Sequence, residues 1–162
     1  MEQIGKYQVI KKIGEGATSE VYLCHDPFNS RDVAVKVVFE EQLGDSEGGK
    51  LTKKLFITEA SLADKLQHPH IVQIYDAVVD DKMNYIVMEY VPGGTLERFC
   101  DPGSLLPIDK IVEIIFKCTR ALDFANKLGI THRDIKPANI LRAGESDIKI
   151  SDFGAALMTS TD

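Results

Sequence analysis

Apolar and polar positions alternate near the start of the chain, where Tyr7, Val9 and Ile13 stand between polar neighbours, as a strand with one buried face requires. A short apolar run over 21–24 and a β-branched run over 33–39, interrupted by one lysine, predict two further strands. A link containing Gly14 and Gly16 joins the first two, and Asp26-Pro27-Phe28-Asn29-Ser30 predicts a turn between the second and third. Residues 40–50 hold Gly44, Gly48, Gly49 and several acids and read as a flexible connector. The period then becomes helical over about 52–67, with Leu55, Leu62 and Leu66 on one stripe and His68-Pro69 as the stop. Two more strands are predicted over 71–79 and 84–90, joined by the acidic turn Asp80-Asp81-Lys82.

Pro92-Gly93-Gly94 ends this pattern, and beyond it the spacing is helical. Ile111, Ile114, Ile115, Cys118, Ala121, Leu122, Ala125 and Leu128 recur at helical intervals, with Pro107 suited to the first turn and Gly129 to the C-terminal cap. Apolar residues fall on more than one side of this helix: Ile111, Ile115, Cys118 and Leu122 form one stripe, and Ile114, Phe116 and Ala121 spread beyond it. Such a helix belongs inside a larger helical lobe, so the chain by itself is expected to aggregate or to need a partner. The expected class is α+β: a small antiparallel sheet with one helix, a glycine-containing hinge and a helical part. Two lobes meeting at a hinge leave a cleft of the kind that takes small ligands.

Composition narrows the choice. At 162 residues the chain is expected to be one domain, and 19 basic against 25 acidic side chains give a net charge of −6, which argues against a nucleic-acid clamp. The hydrophobic share of 44% and charged share of 27% are those of a globular protein. No apolar run approaches a membrane span, and the N-terminal residues lack the apolar core of a signal peptide. Cys24, Cys100 and Cys118 are widely spaced and suggest neither a disulfide framework nor a zinc site, so a reducing cytoplasm is expected.

The chemistry concentrates at four places. Gly14-Glu15-Gly16-Ala17-Thr18-Ser19 approximates a G-x-G-x-x-G loop with Ser19 at the third glycine; it is either a plain hairpin turn or a backbone cradle for a polyphosphate. A strand follows it rather than a helix, which excludes a dinucleotide-binding βαβ unit. Lys36 shares a strand face with Ala34 and Val38, and Glu59 interrupts the apolar stripe of the first helix. Each could be an edge or snorkelling residue; two inward-facing opposite charges on adjacent elements suggest an ion pair instead. His132-Arg133-Asp134-Ile135-Lys136-Pro137-Ala138-Asn139 packs a carboxylate, a lysine and an amide into one short loop, and Asp152-Phe153-Gly154 follows a short predicted strand over 147–150. Two aspartates and an asparagine converging there can hold hard cations and orient a hydroxyl, which phosphoryl transfer requires.

In these motifs, together with Met88-Glu89-Tyr90-Val91, the whole chain resembles a eukaryotic-type serine/threonine protein kinase domain, similar to those of bacteria. The resemblance implies a two-lobed kinase fold with a small lobe over 1–89, a hinge over 90–94 and the first part of a mainly helical lobe over 95–162. It implies ATP and Mg²⁺ as cofactors, protein Ser/Thr hydroxyls as acceptors, and no nucleic-acid partner. The loop with Ile13, Gly14, Gly16 and Ser19 would cover the ATP phosphates; Lys36, oriented by Glu59, would hold the α- and β-phosphates. Main-chain groups of Glu89 and Val91 would bond adenine, with Val21, Ala34 and Leu141 on its faces and Met88 at the back. Asp134 would accept or orient the hydroxyl proton, Lys136 would neutralise the transferring phosphate, and Asn139 and Asp152 would bind Mg²⁺. His132 would pack on Phe153; His25, His68 and His70 read as turn residues.

Arg133 implies control by a phosphorylated segment, for which Thr159, Ser160 and Thr161 are the nearby hydroxyls. Ala63, one turn after Glu59, is smaller than the family usually places there. The sequence runs only to Asp162, short of the A-P-E motif, so transfer to protein is expected to be poor. Two alternatives to the kinase reading are a catalytically inactive nucleotide- or partner-binding piece and a small-molecule phosphotransferase of the same fold.

Overall fold

The computed structural model describes residues 1–39, 44, 46–79 and 83–159. They form two compact units, Met1–Ala63 with Ile74–Tyr90, and Asp64–Gln73 with Val91–Asp162.

The first unit is a six-stranded antiparallel sheet with one helix. Its strands are β1 (Gln3–Ile4), β2 (Tyr7–Glu15), β3 (Glu20–Asp26), β4 (Arg31–Phe39), β5 (Ile74–Val79) and β6 (Met83–Glu89), in the order β1-β2-β3-β4-β6-β5. The strand β4 is buried on both faces, which is why it reads as a nearly unbroken apolar run. Val33, Val35 and Val37 are inaccessible and pack with Ile4, Tyr7, Cys24, Tyr85 and Val87. Val38 points the other way, against Ile86 and Phe56 of the helix α1 (Glu47–Ser61).

The expected turn between β3 and β4 is present. The Asp26 carboxylate accepts from the Asn29 side chain at 2.7 Å, from the Phe28 N–H at 2.9 Å and from the Asn29 N–H at 3.2 Å. These bonds, the Asn29 amide first, hold its carboxyl below the ordinary range.

Three expectations for this unit need correction. The helix α1 covers 47–61 rather than 52–67, because Ser46 caps it by accepting from the Gly49 N–H at 3.1 Å, and the chain turns at Leu62. The glycines and acids of 46–50 therefore belong partly to a helix; 40–43 and 45, like the Asp80-Asp81-Lys82 turn, lie outside the described residues. His25 lies within β3, its Nδ1 3.0 Å from Asp32 Oδ1, and not in a turn. The short β1 had no signal in the pattern, being two residues long.

In the second unit the helix α2 (Ile108–Lys127) begins after Pro107, whose carbonyl accepts from the Ile111 N–H at 3.0 Å. Pro107 thus stands at the N-cap, one position before the first turn. Gly129 follows the helix end at φ +75°, a conformation that favours glycine, and its N–H donates to Asn126 O at 2.9 Å. Two-stranded pairs follow: β7 (Ile130–Thr131) with β10 (Leu157–Met158), and β8 (Ile140–Arg142) with β9 (Ile148–Ile150). The stretch read as the beginning of a strand at residue 71 packs here instead. Ile71 bridges Ile150 in parallel, Val72 N–H donates to Ile150 O, and Ile150 N–H donates to His70 O. Gly93 serves close approach: a Cβ there would stand 1.8 Å from Arg142 O.

The buried side of α2 is Ile114, Cys118, Ala121 and Ala125, mostly small residues that let the helix lie close to its neighbours. Ile111 and Ile115, expected on the main core stripe, are exposed at 37% and 59%, as are Ile108, Val112 and Phe116. The helix is therefore apolar on two sides, as expected, but the covered side is the one made of small residues. Among the described residues no helix is long and apolar enough to cross a membrane.

All three cysteines are free thiols; Cys24 and Cys118 are buried and Cys100 is exposed. Burial pushes both buried thiols up to about 11, so neither carries thiolate at pH 8. Alkylation of the native chain at pH 8, followed by mass spectrometry, should modify Cys100 first, with Cys24 and Cys118 reacting only after denaturation.

Candidate active site

Within the first unit, β2 continues through Gly14 and Glu15, β3 starts at Glu20, and the chain closes on itself where Gly16 N–H donates to Ser19 O at 2.8 Å. The glycine loop is therefore the tip of a hairpin, with Gly14 directly opposite Val21. Across the next strands Val21 pairs with Lys36 and Lys36 with Ile86, while Leu23 pairs with Ala34 and Ala34 with Met88. Residues in register, and residues two apart, share a face of a sheet. Val21, Ala34, Lys36 and Met88 thus lie on one face, and Glu89, opposite Val33, on the other. Ile13 is partly exposed at a bulge in β2.

Lys36 and Glu59 form an ion pair, with 16% and 6% of their side chains accessible. The placement follows from the helix repeat. Thr52, Phe56 and Glu59 form the buried side of α1, and Phe56 packs on Val38, two residues along β4 from Lys36. Glu59, one turn beyond Phe56, meets the lysine. Neither is a snorkelling or edge residue. Ala63 lies past the end of α1, its N–H donating to Ala60 O, so it does not belong to the helical stripe.

The second unit arranges the other candidates around one buried histidine. His132 is 2% exposed and packs edge-on against Phe153 at 4.5 Å between ring centres. Its Nδ1 accepts from the Asp134 N–H at 3.0 Å, so the proton must sit on Nε2, which donates to Ser151 O at 2.9 Å. One ring thereby ties the Asp134 loop to the residue preceding Asp152. A second tie runs through Asn139: its carbonyl accepts from Ser151 N–H at 2.9 Å, and its side-chain amide donates to Asp134 O at 2.9 Å and Asp134 Oδ2 at 3.2 Å. Lys136 Nζ stands 3.7 Å from Asp134 Oδ2.

Arg133 and Asp152 hold left-handed backbone angles, φ +70° and +61°, which non-glycine residues adopt only where surroundings enforce them. Arg133 is held by Nε donating to Ala155 O at 2.8 Å. Leu141, on β8, pairs with Lys149 and bridges Thr95. Thr159 donates through N–H and Oγ1 to Gly129 O; Ser160 and Thr161 lie outside the described residues.

This arrangement offers a half-exposed carboxylate, braced on one oxygen by an amide, with an ammonium beside it. It can take or direct a hydroxyl proton and offset negative charge nearby. The side-chain oxygens of Asp152 and Asn139 are hard donors suited to Mg²⁺, which needs few protein ligands and takes the rest from phosphate and water. Among the described residues no group of three or more His, Cys, Asp or Glu could hold a metal ion. Ser151, which anchors two of the ties above, had no signal in the sequence, because its part is played through backbone atoms.

A family model described as "Protein kinase domain" matches residues 7–162. The chain is 41% identical over 151 residues to a probable serine/threonine-protein kinase of Clostridium acetobutylicum, covering 93% of this chain and 22% of that protein. It is 38% identical over 157 residues to serine/threonine-protein kinase PrkC of Bacillus subtilis, covering 97% and 24%. A probable serine/threonine-protein kinase PknB of Lactococcus lactis is 38% identical over 162 residues, covering 96% and 25%. The chain spans about a quarter of the length of these curated relatives.

Removing one partner of a buried ion pair leaves the other charge poorly solvated, at a cost of about 3 kcal/mol. Glu59→Leu should lower stability to urea by about that much. The double variant Lys36→Met, Glu59→Leu should lose clearly less than the sum of the single changes, measured as a double-mutant cycle.

Proposed function

The chain belongs to the protein kinase domain family, and from that premise we propose that it carries the nucleotide-binding and phosphoryl-transfer residues of an ATP- and Mg²⁺-dependent serine/threonine protein kinase. The observation that carries the reading is the double tie of Asp134 and Ser151 through His132 and Asn139, which sets a carboxylate, an amide and the Asp152 backbone in fixed relation.

On this reading the amides of the 14–19 loop take the triphosphate, with Ile13, Gly14, Gly16 and Ser19 as its lining residues. Lys36, oriented by Glu59, holds the inner phosphates as a point charge. Val21, Ala34, Met88 and Leu141 supply apolar surface for the base, and main-chain groups of Glu89 and Val91 its hydrogen bonds. Asn139 and Asp152 hold Mg²⁺, which when bound neutralises charge on the phosphates. Asp134 orients the Ser/Thr hydroxyl and receives its proton, and Lys136 offsets charge on the phosphoryl group in transit. In lobe terms, 1–89 would be the small lobe, 90–94 the hinge and 95–162 the first part of the large one. The acceptor is a protein hydroxyl rather than a nucleic acid, in keeping with the net charge of −6. The reduced thiols and the need for ATP favour the cytoplasm.

Titration with an ATP analogue and Mg²⁺ should give saturable binding that Lys36→Met weakens by about tenfold or more, the loss expected for one charge-assisted contact. Equal binding by that variant would remove Lys36 from the phosphate site. In the full-length protein, Asp134→Asn should abolish most transfer to a protein substrate while leaving ATP-analogue affinity within about twofold, because directing the nucleophile is separate from holding the nucleotide. Wild-type turnover in Asp134→Asn would overturn its assignment.

A further inference from the structure

The strands that flank the glycine loop carry a polar cluster that none of these roles uses. Lys12 Nζ lies 2.8 Å from Glu15 Oε2 and 2.9 Å from Glu20 Oε1, and Tyr22 Oη donates to the other Glu20 oxygen. Glu15 and Glu20 are direct partners on the last rung before the loop, and Lys12 is the partner of Tyr22, with an irregularity in register between Lys12 and Gly14. Two carboxylates facing each other across a rung repel and would splay the hairpin at its open end. The bulge lets an ammonium reach both of them. Lys12 is bound firmly enough that its affinity for its proton rises, through its bonds to Glu15 and Glu20. The Glu20 carboxyl is held low by Tyr22 and Lys12. A single exposed ion pair contributes little to stability. Here one cation joins two acids on opposite strands and a phenol fixes the second acid, so the cluster acts on geometry.

The position gives the cluster its consequence. The rung it clasps opens onto Gly16, Ala17, Thr18 and Ser19, whose amides are the groups that would meet a polyanion. Unneutralised, two carboxylates next to that loop would oppose negative charge there. We infer that Lys12 is a positioning residue for the nucleotide phosphates: it clasps the mouth of the hairpin across Glu15 and Glu20 and cancels their charge beside the loop. The inference rests on the nucleotide-binding reading above.

The test compares the wild-type chain, Lys12→Met and Lys12→Arg in titrations with a fluorescent ATP analogue and with adenosine. Lys12→Met should weaken the ATP analogue by about three- to tenfold and leave adenosine unchanged, with Arg restoring affinity to within about twofold. Equal affinity for the ATP analogue, or an equal loss for adenosine, overturns the inference. If the wild-type chain binds neither ligand, the nucleotide reading falls instead, and amide hydrogen exchange over 14–19 decides on the clasp. Exchange several-fold faster in Lys12→Met supports it, and unchanged exchange overturns it. Should Lys12→Met fail to fold, Tyr22→Phe takes its place, with a smaller change of the same sign expected in each measurement and no change overturning the inference.

Discussion

A lysine and a glutamate cannot both be buried in a small sheet-and-helix unit unless they meet, and the Lys36–Glu59 pair is the constraint around which the first unit is arranged. Desolvating either charge alone would cost several kcal/mol. The pair is compatible with folding only if α1 lies across β4 at one register and one rotation. Phe56 on Val38 and Ile86 supplies the apolar part of that contact, and Glu59 falls one helical turn further along. The same register places Val21, Ala34 and Met88 on the face that carries the lysine. One register thus serves both the packing of α1 and the assembly of the candidate face.

The second unit solves its own problem with neutral hydrogen bonds. Most of its candidate residues lie in irregular backbone, where few ladder bonds satisfy the polar groups, so side chains supply most of the ties. His132 and Asn139 provide them, both buried, each making bonds in two directions. Left-handed angles at Arg133 and Asp152 persist inside this lattice, as strained backbone commonly does at sites of chemistry. The result is a rigid seat beneath an accessible carboxylate. The clasp on the glycine hairpin follows the same economy, using charges at the surface to join the two strands next to the loop.

Much of this was legible along the chain. The strands β2, β3 and β4 followed from alternation and β-branched runs, because a sheet with buried faces leaves a period of two in the sequence. The pairing of Lys36 with Glu59 could be reasoned from two charges out of place on apolar faces. Helix boundaries were less legible: the start of α1 depends on one serine cap inside a glycine-rich stretch that resembles a linker. The clasp of Lys12 was also hidden, since charged residues on an exposed hairpin look like any solvated surface.

The sequence by itself determined the class of fold and the family resemblance, and it singled out the candidate chemical residues, because these depend on local periodicity and on short motifs with fixed spacing. Only the tertiary structure decided which side of α2 is covered and where the segment 64–73 belongs. The apolar residues of α2 occupy two sides, so hydrophobicity alone cannot rank them. The choice fell to the side where Cys118, Ala121 and Ala125 are small enough for close packing. Ile71 likewise reads as the start of a strand, yet its partner is Ile150, far along the chain. Such pairings depend on contacts between distant residues, and no window of neighbouring residues contains them.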